Sequence, residues 1–310
     1  MRVLITGGAG YIGSMLVPAL LGRGWKVTVL DTFAAGDTFL AGSCLDPNFE
    51  PVRGDARDMR VVEPLCREAD VLIPLAALVG APLCARDQIG AVSLNRDAVV
   101  DLVKRAGREQ LVVYPTTNSG YGIGEGNAFC TEETPLRPVS LYGRTKVEAE
   151  EAVLSHHNSL SFRLATVFGM APRMRLDLLV NDFTWRAVND RAVVLFEAHF
   201  RRNYIHIRDV VKAFMHGVDN AGAMRCNAYN VGLSEANLSK AQLCERIARH
   251  VPGFVWLEAP VGEDPDKRDY IVSNEKLEKT GWLPDVSLDA GIQELIKGYR
   301  MIRNGRFANV

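Results

Sequence analysis

The first thirteen residues constrain this chain more than any other stretch. Arg2-Val3-Leu4-Ile5 is a short apolar run, and Thr6-Gly7-Gly8-Ala9-Gly10-Tyr11-Ile12-Gly13 follows at once. An amphipathic stretch, Met15 to Gly22, comes next. Trp25-Lys26-Val27-Thr28-Val29-Leu30 then reads as a second buried strand, ending on Asp31. Strand, glycine turn, helix, strand and acid form a βαβ unit of about thirty residues, as a dinucleotide site requires. The glycines allow a tight turn and a close backbone approach to a pyrophosphate, which the helix N-terminus attracts. Gly8, Gly10 and Gly13 satisfy the G-x-G-x-x-G spacing, with Gly7, Tyr11 and Ile12 filling out the phosphate turn. Asp31 lies near the usual offset of about twenty residues. Its carboxylate can accept from a ribose 2′-hydroxyl and would repel a 2′-phosphate. Neither Thr32 nor Phe33 adds a compensating cation, so the expected cofactor is NAD rather than NADP.

With 310 residues and 47% hydrophobic content, the chain can bury a sizeable core as one large α/β domain or a two-lobed unit. A formal net charge of −1 gives no reason to expect nucleic acid or an anionic membrane as partner. No apolar run approaches the roughly 18 residues of a membrane span. The chain starts directly in its first strand, so a cytoplasmic protein without a leader is expected. The six cysteines are scattered with no C-x-x-C pair, which suits reduced, mostly buried thiols. The six histidines lack ligand spacing, and no metal is expected.

Further along, Phe49 to Arg53 reads as a third strand, and Gly54-Asp55-Ala56 follows it. Asp58 can cap a helix towards Cys66. In a doubly wound sheet the turn after strand three opens on the same edge as the glycine turn, so Asp55 is either an adenine contact or a turn aspartate. Val71 to Leu75 is a fourth strand leading into Ala76-Ala77, small residues against which a flat cofactor can lie. Gln88 to Ala106 reads as one long helix with a polar oddity, Asn95. Leu111 to Tyr114 is a fifth strand, ending in the polar cluster Thr116-Thr117-Asn118-Ser119-Gly120-Tyr121-Gly122. Ser161 to Phe168 reads as a sixth strand. Beyond Gly169 the elements shorten: strands near 193–196 and 203–207, helices near 209–218 and 240–251.

Tyr142 and Lys146 stand four residues apart, on one face of a helix running towards His156. A phenol with a pKa near 10 is a poor base at neutral pH, but a neighbouring ammonium and an oxidised nicotinamide favour the phenolate. Taken alone, the pair could equally be an exposed helix pair.

In the order glycine turn, acid, threonine-rich strand end and Tyr-x-x-x-Lys, the chain resembles the extended short-chain dehydrogenase/reductase family. Thr6-Gly7-x-x-Gly10-x-x-Gly13 is similar to its cofactor signature, Gly54-Asp55 to its adenine contact, Leu75-Ala76-Ala77 to its nicotinamide-side turn, and Asn95 to its helix asparagine. The Thr116–Gly122 segment resembles its catalytic loop, with Thr117 at the catalytic hydroxyl. Arg202-Asn203-Tyr204-Ile205-His206-Ile207-x-Asp209 resembles its C-terminal substrate motif. The resemblance implies a Rossmann-type doubly wound parallel sheet with a smaller α/β substrate-binding lobe. The expected division puts 1–169, with roughly 203–232, in the NAD-binding domain, and 170–202 and 233–310 in the lobe. It also implies a nucleotide-sugar substrate and a homodimer through the helices around Gln88–Ala106 and Leu141–His156. Thr117, Tyr142 and Lys146 would oxidise the sugar at C4.

Family dehydratases carry an acidic pair directly after the catalytic threonine. Asn118 and Ser119 stand there instead, and neither can act as a general acid or carry a negative charge at neutral pH. Dehydration is therefore disfavoured, leaving 4-epimerisation or C4 oxidation; a non-catalytic NAD-binding regulator is the alternative from outside enzymology. Thr166 occupies a position where many epimerases have asparagine. The segments Arg173–Phe183 and Asp266–Tyr270 are similar to enzymes that oxidise C4 of GDP-linked heptoses in bacterial surface-polysaccharide pathways. Arg202 and Arg268 are candidates for clamping the diphosphate through bidentate guanidinium contacts. Asn181 could reach the substrate or cap a helix, and Arg173, beside Arg175, could reach it or pack the lobe.

Overall fold

The computed structural model describes residues 1–260 and 268–302. Its strands, in chain order, are β1 (Arg2–Thr6), β2 (Lys26–Asp31), β3 (Phe49–Arg53), β4 (Val71–Pro74), β5 (Leu111–Thr117), β6 (Phe129–Cys130), β7 (Ser159–Leu164), β8 (Thr166–Phe168), β9 (Ala192–Leu195), β10 (Arg201–His206), β11 (Asn227–Val231), β12 (Asn237–Ser239), β13 (Val255–Glu258) and β14 (Ile271–Val272). Seven of them form a sheet in the order β11-β7-β5-β4-β1-β2-β3, every pair parallel. The strand order reverses between β1 and β4. Ligands of open α/β sheets sit at such a reversal, outside the carboxyl ends of the strands. The strands are short apolar runs because both faces are covered by helices. Val3, Ile5, Val27, Val29 and Val113 pack on one side, and Leu4, Leu30, Leu72 and Val112 on the other.

The helices that matter for the site are α1 (Gly13–Leu21), α2 (Met59–Glu68), α3 (Ala81–Arg86), α4 (Gln88–Val92), α5 (Ala98–Arg105), α6 (Leu141–Leu154), α7 (Leu179–Asn189) and α8 (Ile207–Asp219). Asp58 caps α2, as its position suggested, accepting from the Arg60 N–H. The expected single helix over 88–106 is interrupted: residues 93–97 form a π-turn between α4 and α5. Such a bulge is hard to read from periodicity, since it leaves the flanking helical pattern intact. Here it carries Asn95.

The expected sixth strand is also two strands. The chain leaves the large sheet after Leu164, and β8 pairs instead with β10, which pairs with β12. An apolar run fits a buried strand in either sheet, so periodicity alone cannot reveal the change at Ala165. After β10, α8 and β11 return the chain to the large sheet. No helix among the described residues is long and apolar enough to cross a membrane.

Candidate active site

The glycine turn is held from below by its own neighbours. Gly7 has φ +75°, and a Cβ there would lie 2.4 Å from the Ala76 nitrogen, while one on Gly13 would lie 2.3 Å from the Gly8 carbonyl oxygen. These glycines are needed because two backbones touch: the turn after β1 rests on Leu75-Ala76, and the Leu75 N–H donates to the Thr6 carbonyl at 2.8 Å. A Cβ on Gly10, by contrast, would meet nothing closer than the Gly7 oxygen at 3.2 Å. Helix α1 opens on this turn with no side-chain cap and no acidic residue in its first turn. Its orphan N–H groups and positive dipole end suit a pyrophosphate. The residues present therefore fit a dinucleotide.

Asp31 does more than wait for a ribose. Its two carboxylate oxygens accept from the Ala9 N–H at 2.9 Å and the Phe33 N–H at 2.8 Å, so it also clasps the turn. Each oxygen keeps a lone pair for a ribose hydroxyl. A cation near this end was missed in the sequence because it comes from the next strand. Arg53 stands opposite Asp31 in the β2–β3 register, donates to the Thr32 carbonyl at 3.0 Å and lies over the Phe33 ring at 5.1 Å. Asp55 holds its own turn: it accepts from the Arg57 N–H and pairs with the Arg57 guanidinium at 2.5 Å, which holds its carboxyl below the ordinary value. Ala56 lies within that turn.

Two further expected cofactor contacts act through the scaffold. Asn95 is fully buried. Its amide accepts from the Leu78 N–H at 2.8 Å and donates to the Leu78 carbonyl at 2.9 Å, pinning the segment that continues from Leu75-Ala76-Ala77. The Tyr11 hydroxyl donates to the Gly169 carbonyl at 2.6 Å, so its side chain ties the glycine turn to the chain after β8. Asn181 completes that seam. Expected near substrate, it is fully buried and spends its amide on the Gly169 N–H, the Arg175 carbonyl and the Tyr11 hydroxyl. In these contacts the Asn181 amide braces the seam. Arg173 belongs to the same seam, its backbone N–H 3.4 Å from the Ser14 hydroxyl of α1.

The catalytic candidates meet at the carboxyl edge of β5. Thr117 ends that strand, and Asn118–Tyr121 turn in a 3₁₀ helix behind it. Tyr142 and Lys146 share the first turns of α6, which Ser140 caps by accepting from the Gly143 N–H. The Thr117 hydroxyl stands close enough to the Tyr142 phenol to help lower it. Thr117 also receives the Ser119 N–H and lies 2.9 Å from the Ser119 hydroxyl, to which Arg268 donates. Burial raises the phenol of Tyr142, and the Arg175 and Arg268 guanidiniums together with the Thr117 hydroxyl oppose that rise. Lys146 itself is buried, lies over the Tyr114 ring at 4.0 Å, and is pushed down by desolvation to about 7.

Around this core, Asn118 is 1% exposed with both amide atoms unpartnered among the described residues, and the Thr116 hydroxyl is likewise unpartnered. Buried polar groups left unpaired are costly, and a ligand is one way to satisfy them. Arg202 on β10 is buried, donates to the Arg201 carbonyl and lies over the Tyr270 ring at 5.7 Å, two residues from Arg268. Thr166 opens β8, opposite Tyr204. Of the segment 266–270, Asp266 and Lys267 lie outside the described residues.

The sequence profile of the NAD dependent epimerase/dehydratase family matches residues 3–232. The chain belongs to that family. Its cofactor is NAD. The low-salt glycan biosynthesis protein Agl12 of Haloferax volcanii is 29% identical over 96% of this chain and 98% of its own length. UDP-glucuronic acid decarboxylase 1 of Arabidopsis thaliana is 26% identical, over 97% and 70% respectively. Among solved structures, the UDP-glucose 4-epimerase of Thermus thermophilus, in complex with NAD, superposes with a TM-score of 0.81 at 27% identity, covering 97% of this chain and 99% of that one.

Proposed function

We propose that this enzyme oxidises the C4 hydroxyl of a nucleotide-linked sugar to a 4-keto species. The observation that carries the reading is the meeting of Thr117, Tyr142 and Lys146 at the carboxyl end of β5, with the Thr117 hydroxyl acting on the Tyr142 phenol. Bound NAD supplies the hydride acceptor. Tyr142 removes the C4 hydroxyl proton, helped by the positive end of α6 and by Arg175 and Arg268. Thr117 holds the same oxygen by turning its hydroxyl hydrogen bond from Ser119 to the sugar, keeping its own proton. Lys146 lies one turn along α6, where an ammonium can grip the nicotinamide ribose. The unpartnered Asn118 amide gives a sugar hydroxyl both a donor and an acceptor.

The relatives named for UDP-glucuronic acid and UDP-glucose support a nucleotide sugar as substrate, taken up between the sheet edge and a lobe built from 170–202 and 233–310. Arg202 and Arg268 are assigned to its diphosphate. Asn118 and Ser119, which cannot transfer the protons of a dehydration, favour a C4 dehydrogenase or 4-epimerase over a 4,6-dehydratase. The test is the mass of a sugar nucleotide after incubation with stoichiometric enzyme. The panel starts with the GDP-linked heptose suggested by Arg173–Phe183 and continues through UDP-, dTDP- and CDP-sugars. Loss of two hydrogens with NADH formed, or an isomer of unchanged mass, supports the reading. Loss of water overturns the roles given to Asn118 and Ser119.

A further inference from the structure

One more turn along α6, on the face that carries Tyr142 and Lys146, stands Glu150, 2% exposed. Arg163 of β7 binds it through Nη2 at 2.7 Å and Nε at 3.0 Å, and the Ser161 hydroxyl donates to it at 2.7 Å. The remaining Arg163 nitrogen, Nη1, donates to the Tyr121 hydroxyl at 3.2 Å and the Glu132 carbonyl at 3.0 Å. Tyr121 closes the turn that starts from Thr117, and its hydroxyl donates to Asn230 at 2.7 Å. One buried ion pair therefore touches both catalytic elements. An apolar pair of equal volume would hold these elements at least as well, because burying two charges costs desolvation. The charges call for an electrical use.

Lys146 supplies it. The groups facing it are Cys84 from α3, Tyr114 from β5, and Tyr142 and Glu150 from its own helix. In the NAD-free fold burial raises Cys84, Tyr114 and Tyr142, so none of the three brings a negative charge near pH 7. Asp87 lies beyond Cys84. Arg96 and Asp97 of the π-turn pair with each other, and Arg96 also with Glu148, while Asp101, Lys104 and Arg105 of α5 pair at the surface. Glu150 is thus the buried carboxylate one turn from Lys146.

We infer that the Glu150–Arg163 pair is a positioning and charge-setting device: the Glu150 carboxylate, one turn from Lys146, steadies its ammonium, and Arg163 balances that carboxylate while locking the Thr117–Tyr121 turn. The use of that ammonium rests on the proposed role of Lys146. The two charges give the device a signature that structural damage lacks, since their removal must act in opposite directions. Glu150→Gln keeps the shape and leaves an uncompensated guanidinium, so the Lys146 midpoint falls. Arg163→Met leaves Glu150 with Lys146 as its partner, so the midpoint rises.

The experiment is a pH titration of ε-¹³C-labelled lysine by NMR in the full chain, with and without NAD, the Lys146 signal assigned by Lys146→Arg. Midpoint changes of about one pH unit or more, in opposite directions, are expected. Arg163→Lys, which keeps the charge and loses the fork, leaves the midpoint near its parent value. If a neutral variant fails to fold, Glu150→Asp, with the carboxylate withdrawn by one methylene, moves the midpoint down by a smaller step. No movement, or movement of both neutral variants in one direction, overturns the inference. Opposite movements with an unmoved pH profile of kcat would leave the device standing and remove Lys146 from the proposed chemistry.

Discussion

The two ends of the site are built differently. At the cofactor end, recognition is done by backbone: touching turns, an uncapped helix start, and Asp31 clasping two N–H groups. At the catalytic end it is done by side chains drawn from distant parts of the chain, with Asn118 and Thr116 left unpartnered among the described residues and Arg268 reaching in from 149 residues away. The first end is complete without its ligand; the second is not. A rigid cofactor cradle beside an unsatisfied substrate pocket is what an enzyme needs when one cofactor serves many sugars.

Breaking the catalytic end should cost most in rate. Tyr142→Phe should lower kcat by about 10²–10⁴-fold while the NAD affinity measured by calorimetry stays close to the parent's. Breaking the scaffold behind it should cost most in stability. Arg163→Met takes the guanidinium from a buried carboxylate and should lower the unfolding free energy by about 3–5 kcal/mol in urea. At the cofactor end, Gly13→Ala forces a methyl against the Gly8 carbonyl, with about 1–3 kcal/mol lost in stability and NAD affinity falling with it.

Lys146 sharpens the contrast through pH. Its ordinary value of 10.5 falls to about 7 on burial, so between those values the unfolded chain binds a proton that the folded chain does not. Stability from this group therefore rises with pH across that window. Lys146→Met removes the slope: in the NAD-free protein it should be more stable than the parent by a few kcal/mol near pH 6, an advantage that shrinks by about 1.4 kcal/mol for each pH unit within the window and is gone by about pH 10.5. Ser119→Ala is the smallest change. It frees the Thr117 proton from one acceptor and should alter kcat by less than about tenfold.

What was legible in the sequence follows the same division. The glycine turn, Asp31, Thr117 and the Tyr142–Lys146 spacing are local patterns, and a local pattern survives without knowledge of the fold. Arg53 beside Asp31 and Arg163 beneath Glu150 depend on strand neighbours and could not be seen. Nor could the sheet change at Ala165 or the π-turn at Asn95, because one apolar run or one helical stripe fits either outcome. Nor does the sequence show that Asn181 joins the Gly169 N–H, the Arg175 carbonyl and the Tyr11 hydroxyl, partners brought together only by the fold.

The most direct test of the account is the position of the hydrogen that moves. A reactive sugar nucleotide from the panel is prepared with deuterium at C4, and separately at C3 and C5. NADH formation is then followed in a single turnover. The account predicts that C4 deuterium alone slows the rise and appears in the reduced nicotinamide. Deuterium transferred from C3 or C5, or a rise insensitive to label at C4, would contradict C4 oxidation by Tyr142 and Thr117.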